Sequence, residues 1–472
     1  MMFSMYSYNS YLSFFDSISC YFSHIVPGAA MHIMSQRSTM KQILNDFIGI
    51  RHHTVFNRSP NDDFTDIPPY FGFSAWKCIG LPASWEERMS FMLFMFHFLK
   101  TSLFSSEHDV RLRGKYLVQL ASSNRFALAK EIEAFEKKQN KRLIKSLSLN
   151  SGFISVHRTK DKAEDAVQEC QVFGEDAEIL SYQSAVELEP HIQYLPIKDA
   201  FYVHRPNDKV GNCYEFMIEN IKSLIKKGVR YENNWGRVRN IERNENGSFL
   251  ITTDNGCHEY DYIILANGIF TPLLAGKLQL RASRACPTYP LKGYSLTLIK
   301  RHGKSKSSEK RINKEDNLLK KAMSFDNLYC TSISPNMVRL AGFGELSGFP
   351  NCEDDYTKSP GLPINVMQKY VRAIFGDTFN FHPDLVSPCY RPLSPDDLPL
   401  VGAVKSIPGL YFHTGHGTLG WTLCLATADC LAQSICDEIL SKEHRCNDTT
   451  DSFTLPDGTR LPKSVLSPNR FL

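Results

Sequence analysis

Gly409-Leu-Tyr-Phe-His-Thr-Gly-His-Gly-Thr-Leu-Gly-Trp-Thr422 is the stretch on which the reading of this chain turns. Leu410 to His413 predicts a short strand. Gly415-His-Gly-Thr-Leu-Gly420 matches the pattern G-x-G-x-x-G, and an apolar helix is predicted from Trp421 to Ile439. Three glycines let the backbone turn sharply and let a ligand approach main-chain N–H groups closely. The helix start adds a partial positive charge, so an electron-rich group is expected there.

A dinucleotide fold needs more than this turn. It needs a following strand and an acidic residue about 20 residues on, for the ribose. Here the helix runs into the polar stretch Ser441-Lys-Glu-His-Arg-Cys-Asn-Asp448, and no second strand is predicted after it. The turn therefore belongs at the end of a fold assembled earlier in the chain. A tight strand-to-helix connection without a ligand is the plain alternative.

The context favours a ligand. Upstream lies Tyr390-Arg-Pro-Leu-Ser-Pro-Asp-Asp-Leu-Pro-Leu-Val-Gly402. Arg391-Pro392, a Pro-Asp turn, a short strand and the Gly-rich turn together resemble the C-terminal segment of the glycine-oxidase/D-amino-acid-oxidase flavoenzyme family. Tyr289-Pro-Leu-Lys-Gly-Tyr-Ser-Leu-Thr297, Pro206-Asn-Asp-Lys-Val-Gly-Asn-Cys213 and Thr414-Gly-His-Gly-Thr-Leu-Gly-Trp-Thr422 resemble, in order, motifs of the bacterial D-amino-acid dehydrogenases. The resemblance covers Trp85 to Ile439. It implies an α/β fold of the two-domain FAD-dependent oxidoreductase kind, with a FAD-binding part and a mixed-sheet substrate part. It implies FAD as cofactor and an amino acid as substrate. The implied reaction is oxidative deamination of a D-amino acid by hydride transfer from Cα to the flavin. Electrons would pass to a carrier, quinone among the implied classes, rather than to oxygen. Peripheral membrane association is implied as well. An amine or glycine oxidase is the alternative within the class, and a flavin-free binding protein the alternative outside it.

The sequence departs from the family at its start. The family opens with a strand, a G-x-G-x-x-G turn and a helix that hold the FAD pyrophosphate. Residues 1–40 hold a single glycine, Gly28, and no Lys or Arg before Arg37. They match neither a secretory signal, a transit peptide nor a membrane span. Burying two pyrophosphate charges without N–H donors is costly. Three readings of this segment compete: a truncated or misannotated start, a degenerate relative without FAD, and FAD binding without the usual opening, which that cost ranks last.

The resemblance assigns roles residue by residue. Arg391 would hold the substrate carboxylate, a task suited to the planar two-pronged guanidinium rather than to lysine. Its structural alternative is an ion pair with Asp396 or Asp397. Tyr294 would line the substrate pocket through its hydroxyl, and His416 would hydrogen-bond the flavin or the substrate. Thr418 and Leu419 would offer backbone N–H groups where negative charge develops on the flavin. Gly415, Gly417 and Gly420 would let that approach happen. Ala266-Asn-Gly268 resembles the second nucleotide-contacting turn of two-domain FAD oxidoreductases.

Segment by segment, residues 1–84 are unassigned and 85–202 are read as helical and substrate-domain. Residues 203–278 are read as FAD-binding. Residues 279–390 belong to the substrate domain, with a basic loop at 301–321. Residues 391–440 complete the FAD-binding part, and 441–472 form a tail. Helices are predicted from Trp85, over Val110 to Leu120, and over Arg125 to Asn140. Short strands are predicted at Val238 to Arg243, Phe249 to Thr253 and His258 to Ala266.

Composition excludes several classes. A net charge of +4 over 472 residues and the lack of a continuous basic face with aromatics argue against nucleic acid. The thirteen cysteines form no C-x-x-C and no Cys/His cluster, so no metal site is expected. Their odd count suggests reduced thiols in an intracellular compartment, cytoplasm or mitochondrion. Met89 to Leu99 is the most apolar run. It is far shorter than the about 20 residues a spanning helix needs, and reads as a buried helix segment.

Overall fold

The computed structural model describes residues 83–137, 150–172, 174–232, 234–300, 318–334, 336–350, 361–376, 386–442 and 451–472, with Cys78 and short strand pieces at 3–4, 24–25, 71–73 and 379–380. The basic loop at 301–317 and nearly all of the unassigned segment 1–84 lie outside the described residues.

Two long helices come first: α1 (Trp85–Phe104) and α2 (Glu107–Lys137). A reciprocal capping box of Ser84 and Glu87 starts α1. The described part then continues with β1 (Asn150–His157), α3 (Lys160–Val172), α4 (Tyr182–Leu188), β2 (Phe201–Val210) and α5 (Cys213–Lys226). Asn212 caps α5, and Gly228 ends it with φ +89°, as the Lys-Lys-Gly signal predicts. An antiparallel three-stranded sheet follows, β3 (Val238–Arg243), β4 (Phe249–Thr253) and β5 (Gly256–Tyr260). The predicted strand His258 to Ala266 is in fact two. β5 stays paired with β4, while β6 (Ile263–Leu265) leaves to join another sheet.

The longer elements that follow are α6 (Thr271–Leu278), β7 (Tyr289–Lys300), β8 (Ala322–Phe325), β9 (Leu328–Ser334), β10 (Met337–Leu346), α7 (Gly361–Phe375), β11 (Val386–Leu393), β12 (Leu400–Ala403), β13 (Leu410–Thr414) and α8 (Gly420–Lys442), and after α8, where no strand was predicted, Ser452–Thr454 pairs with Arg460–Pro462. Together they give a mixed α/β fold.

Seven strands of the large eleven-stranded sheet run β11–β7–β10–β9–β8–β1–β2, antiparallel except for the parallel pair β8–β1, and the piece 71–73 pairs in parallel with β10. β2 thus belongs to the same sheet as β7, so the strand at 201–210 lies on the sheet side rather than the nucleotide side. Asp326 and Asn327, at φ 45° and 61°, form the two-residue β8–β9 turn. One face of this sheet packs on α7 through Ile364, Met367, Tyr370 and Ile374, at the spacing of a helical stripe.

A smaller sheet, β6–β13–β12, has β6 parallel to β13. Around it α2 and α8 pack Leu117, Leu120 and Ala121 against Leu419, Leu423 and Ala426. α2 is one continuous helix where two were predicted. The tail is not merely polar turns: Phe453, Leu455, Leu461 and Leu466 complete the same core. Among the described residues no helix is long and apolar enough to cross a membrane.

Candidate active site

The Gly-rich turn lies between β13 and α8, as its sequence predicts. The Thr414 hydroxyl donates to the Gly268 carbonyl at 3.0 Å. That bond ties the turn Ala266-Asn-Gly268, at the end of β6, to the turn at the end of the parallel strand β13. The C-terminal ends of parallel strands are where open α/β sheets take ligands. Ala266, Gly268, Gly415, Gly417 and Gly420 are thereby brought to one locality.

The glycines there do different work. Gly415 and Gly417 have φ of +74° and +52°, so they are needed for the left-handed backbone. A Cβ on Gly415 would also lie 3.3 Å from Thr288 Cγ2. By contrast, a Cβ on Gly420 would meet nothing within 4 Å, and the same is true at Gly268. These two positions face open space. Backbone donors are divided as well. The Leu419 N–H is turned inward to the His416 carbonyl at 2.9 Å, and its side chain is in the core. Among the described residues no backbone carbonyl takes the N–H of Thr418 or Gly420.

Arg391 on β11 is next to this locality. The N–H of Gly417 donates to Pro392 O at 2.9 Å, and His416 forms an isolated bridge with Leu393. The Gly-rich turn is therefore docked on the residues that directly follow Arg391. The guanidinium is mostly buried and donates to Phe343 O at 2.9 Å. Asp396 is held by Arg470, at 2.8 Å and 2.9 Å through two guanidinium nitrogens.

The structure does not bring Tyr294 and Arg391 together. Arg391 pairs directly with Leu291 on β7, and Tyr294 pairs with Pro388. Direct pairs share a face and alternate residues switch faces, so Tyr294 and Arg391 point to opposite sides of the sheet. Tyr294 packs in the core beneath α7 and donates to Glu345 at 2.8 Å. Two tyrosines are on Arg391's side: Tyr289, paired with Leu393, and Tyr329. Tyr329 pairs with Ala341, and Ala341 with Ser295, which has the parity of Leu291. Burial raises the Tyr329 phenol pKa, and the charges of Arg205 and Arg391 pull it back. Tyr329 is half-buried. The alternation in Leu328-Tyr-Cys-Thr331 was the signal available for it.

His416 is tied to α8. The Nε2 atoms of His413 and His416 each lie 3.1 Å from Thr427 Oγ1, and that hydroxyl donates to Leu423 O at 2.9 Å. A hydroxyl has one proton, so at least one of the two imidazoles donates to it. Burial pushes the His413 pKa down to about 4. Burial, and then the neighbouring His413, push that of His416 well below its ordinary value. Both rings are neutral near pH 7. Trp421 packs edge-on against Phe216, with centroids 5.1 Å apart.

The described residues fit the flavin end of FAD. A Cβ at Gly268 or Gly420 would meet no atom within 4 Å, Gly420 opens a 23-residue helix, and no described backbone carbonyl takes the N–H of Thr418 or Gly420. The segment expected to hold the pyrophosphate is not among them. No group of His, Cys, Asp and Glu suited to a metal ion occurs among the described residues.

Comparison with known proteins agrees with this geometry. The D-amino acid dehydrogenase of Neisseria meningitidis serogroup A is 28% identical over 289 residues, 60% of this chain and 63% of the relative. The chain thus spans less than two thirds of that relative's length. The D-amino acid dehydrogenase of Neisseria gonorrhoeae is 26% identical over 333 residues, 68% of this chain and 74% of the relative. Glycine oxidase from Geobacillus kaustophilus has the same fold, with TM-score 0.51 at 19% identity over 68% of this chain and 79% of that one. So does iminodiacetate oxidase from Chelativorans, with TM-score 0.53 at 17% identity over 71% and 82%. The profile of the FAD dependent oxidoreductase family (DAO) matches residues 104–434, and the chain belongs to that family.

Proposed function

We propose that this protein oxidises D-amino acids at Cα with FAD and passes the electrons to a carrier, a quinone being the class implied. One observation carries the reading: the glycine-lined space at Gly268 and Gly420 is joined to Arg391 by the Gly417–Pro392 hydrogen bond. A cofactor cradle and a cation for a carboxylate are thereby adjacent.

Arg391 binds the substrate carboxylate with two parallel N–H donors and fixes the orientation of Cα. Bound FAD would supply the two-electron acceptor for the hydride lost from Cα. The substrate amine must be neutral at that moment, and its proton leaves to solvent. His416 Nε2 is engaged by Thr427, so Nδ1 is the ring nitrogen that would meet a ligand. The N–H groups of Thr418 and Gly420, which no described backbone carbonyl takes, and the start of α8 would stabilise negative charge developing on the flavin. Any peripheral membrane association would use α1, whose Met92, Phe96 and Leu103 are exposed. An intracellular reducing compartment is the localisation that the odd count of thirteen cysteines supports.

The test is anaerobic mixing of the FAD-loaded protein with matched D- and L-amino acids, followed by oxygen uptake and reduction of a quinone analogue. Flavin bleaching by the D-forms alone, with electrons delivered to the quinone analogue, is the expected result. Rapid oxygen uptake with glycine would replace this reading by the oxidase one. No bleaching by any amino or imino acid would end both.

A further inference from the structure

We infer that Asn124 is a positioning residue for the cofactor-facing turn of α8. It lies in the middle of α2 and is 1% exposed. Asparagine is a poor residue for a helix interior, because its amide competes for backbone partners. Here that amide is spent on another helix. Asn124 Oδ1 accepts the N–H of Leu425 at 2.7 Å and that of Ala426 at 3.3 Å. Its Nδ2 donates to the Trp421 carbonyl at 3.3 Å.

In an undisturbed α-helix the N–H of Leu425 would bond to the carbonyl of Trp421. Asn124 reaches both members of that pair. A side chain entering the backbone ladder is one of the few causes of a defined bend. The first turn of α8, Gly420 to Cys424, is thus set by α2 and not by its own helix alone. That turn carries Gly420, which faces open space, and follows directly on the Gly-rich turn. Trp421 of the same turn packs among Leu128 of α2 and Cys213 and Phe216 of α5. The neighbouring Ser123 is also committed across the interface, accepting the N–H of Asp457 at 3.3 Å. α2 therefore acts as the template on which the start of α8 is laid.

The consequence for FAD rests on the function proposed above; the consequence for α8 does not. Two measurements on Asn124→Ala and Asn124→Asp separate them. The first is amide hydrogen exchange along α8 without added flavin. In Asn124→Ala, exchange over 420–426 should rise about 10-fold, as for the loss of a buried bond or two, while 430–440 stays as in the unmodified protein. Asp keeps the acceptor and should recover most of the protection. Uniform acceleration along α8 would mean a merely structural role, and no change would mean none; either overturns the inference. The second is the FAD dissociation constant from fluorescence quenching. It should weaken about 10-fold in Asn124→Ala, since 1.4 kcal/mol is tenfold, and recover in Asn124→Asp. An unchanged constant beside an unmodified protein that binds FAD also overturns the inference. Should the unmodified protein bind no FAD, the proposed function fails, and the exchange pattern alone decides the role of Asn124.

Discussion

The Arg391 guanidinium donates to the carbonyl of Phe343, a residue held at φ +61°. Phe343 sits where β10 has one residue more than β7, between the pairs Lys292–Glu345 and Tyr294–Gly342. A bulge of this kind re-aims a carbonyl, and a left-handed non-glycine residue costs on the order of 1–3 kcal/mol. The bond to Arg391 offsets part of that and fixes the cation over the face shared with Tyr329. The arginine is thereby pre-set, and its geometry matters as much as its charge.

Replacing it by lysine tests this. Lysine brings one point charge and no two-pronged donor. In Arg391→Lys, KM for the D-amino acid should rise by about 10- to 100-fold, the range for losing a charge-assisted bond or two. The flavin-to-protein ratio should not change. Steady-state kinetics and absorbance measure both. Unaltered KM in a folded variant would remove Arg391 from substrate binding.

Gly420 gives a test in which stability and binding move in opposite directions. A side chain there meets no atom within 4 Å, and the residue opens a helix. Gly420→Leu should therefore leave stability unchanged or raise it by up to about 1 kcal/mol. It should weaken FAD binding at least about 10-fold, because the side chain fills the space the ring needs. Thermal melting and flavin titration report the two quantities. Normal FAD affinity in Gly420→Leu would place the flavin elsewhere.

The C-terminal tail predicts a stability effect remote from the chemistry. Arg470 binds both oxygens of Asp396 and donates to the carbonyls of Leu398, Pro399 and Ser467. The pair is mostly buried. Arg470→Ala leaves a carboxylate without its partner, at a cost of about 3 kcal/mol. Chemical denaturation should show that loss. A change under about 0.5 kcal/mol would mean that solvent replaces the arginine freely.

The histidine pair predicts a pH dependence. The folded pKa of His413 is about 4 against an ordinary 6.5, so the unfolded chain binds a proton that the folded one refuses. The stabilisation is complete above pH 6.5 and is lost as pH falls toward 4. Melting temperature should drop across that window, and by less in His413→Asn. Identical profiles for the two proteins would contradict the assignment of a buried neutral ring.

What the sequence made legible was local. The glycine pattern, the helix caps and the strand alternation near Gly415 are written in consecutive residues, and the structure keeps them. Faces were not legible. Tyr294 and Arg391 belong to neighbouring strands, but only the register Leu291–Arg391 shows that they point apart. Tyr329 comes to Arg391's side across two further strands. Ala121-Ser-Ser-Asn124 looked like a gap between helices because serine and asparagine favour caps. Their partners, on α8 and in the tail, lie some three hundred residues away. The tail looked polar because its core residues are spaced among turn residues.

The most direct measurement is the visible absorption spectrum of the purified protein before and after addition of FAD, followed by a D-amino acid under anaerobic conditions. The account predicts a bound-flavin spectrum that the D-amino acid bleaches and its L-enantiomer does not. A protein that stays colourless with FAD present would contradict it, and the roles given to Gly268, Gly420 and Arg391 would fall together.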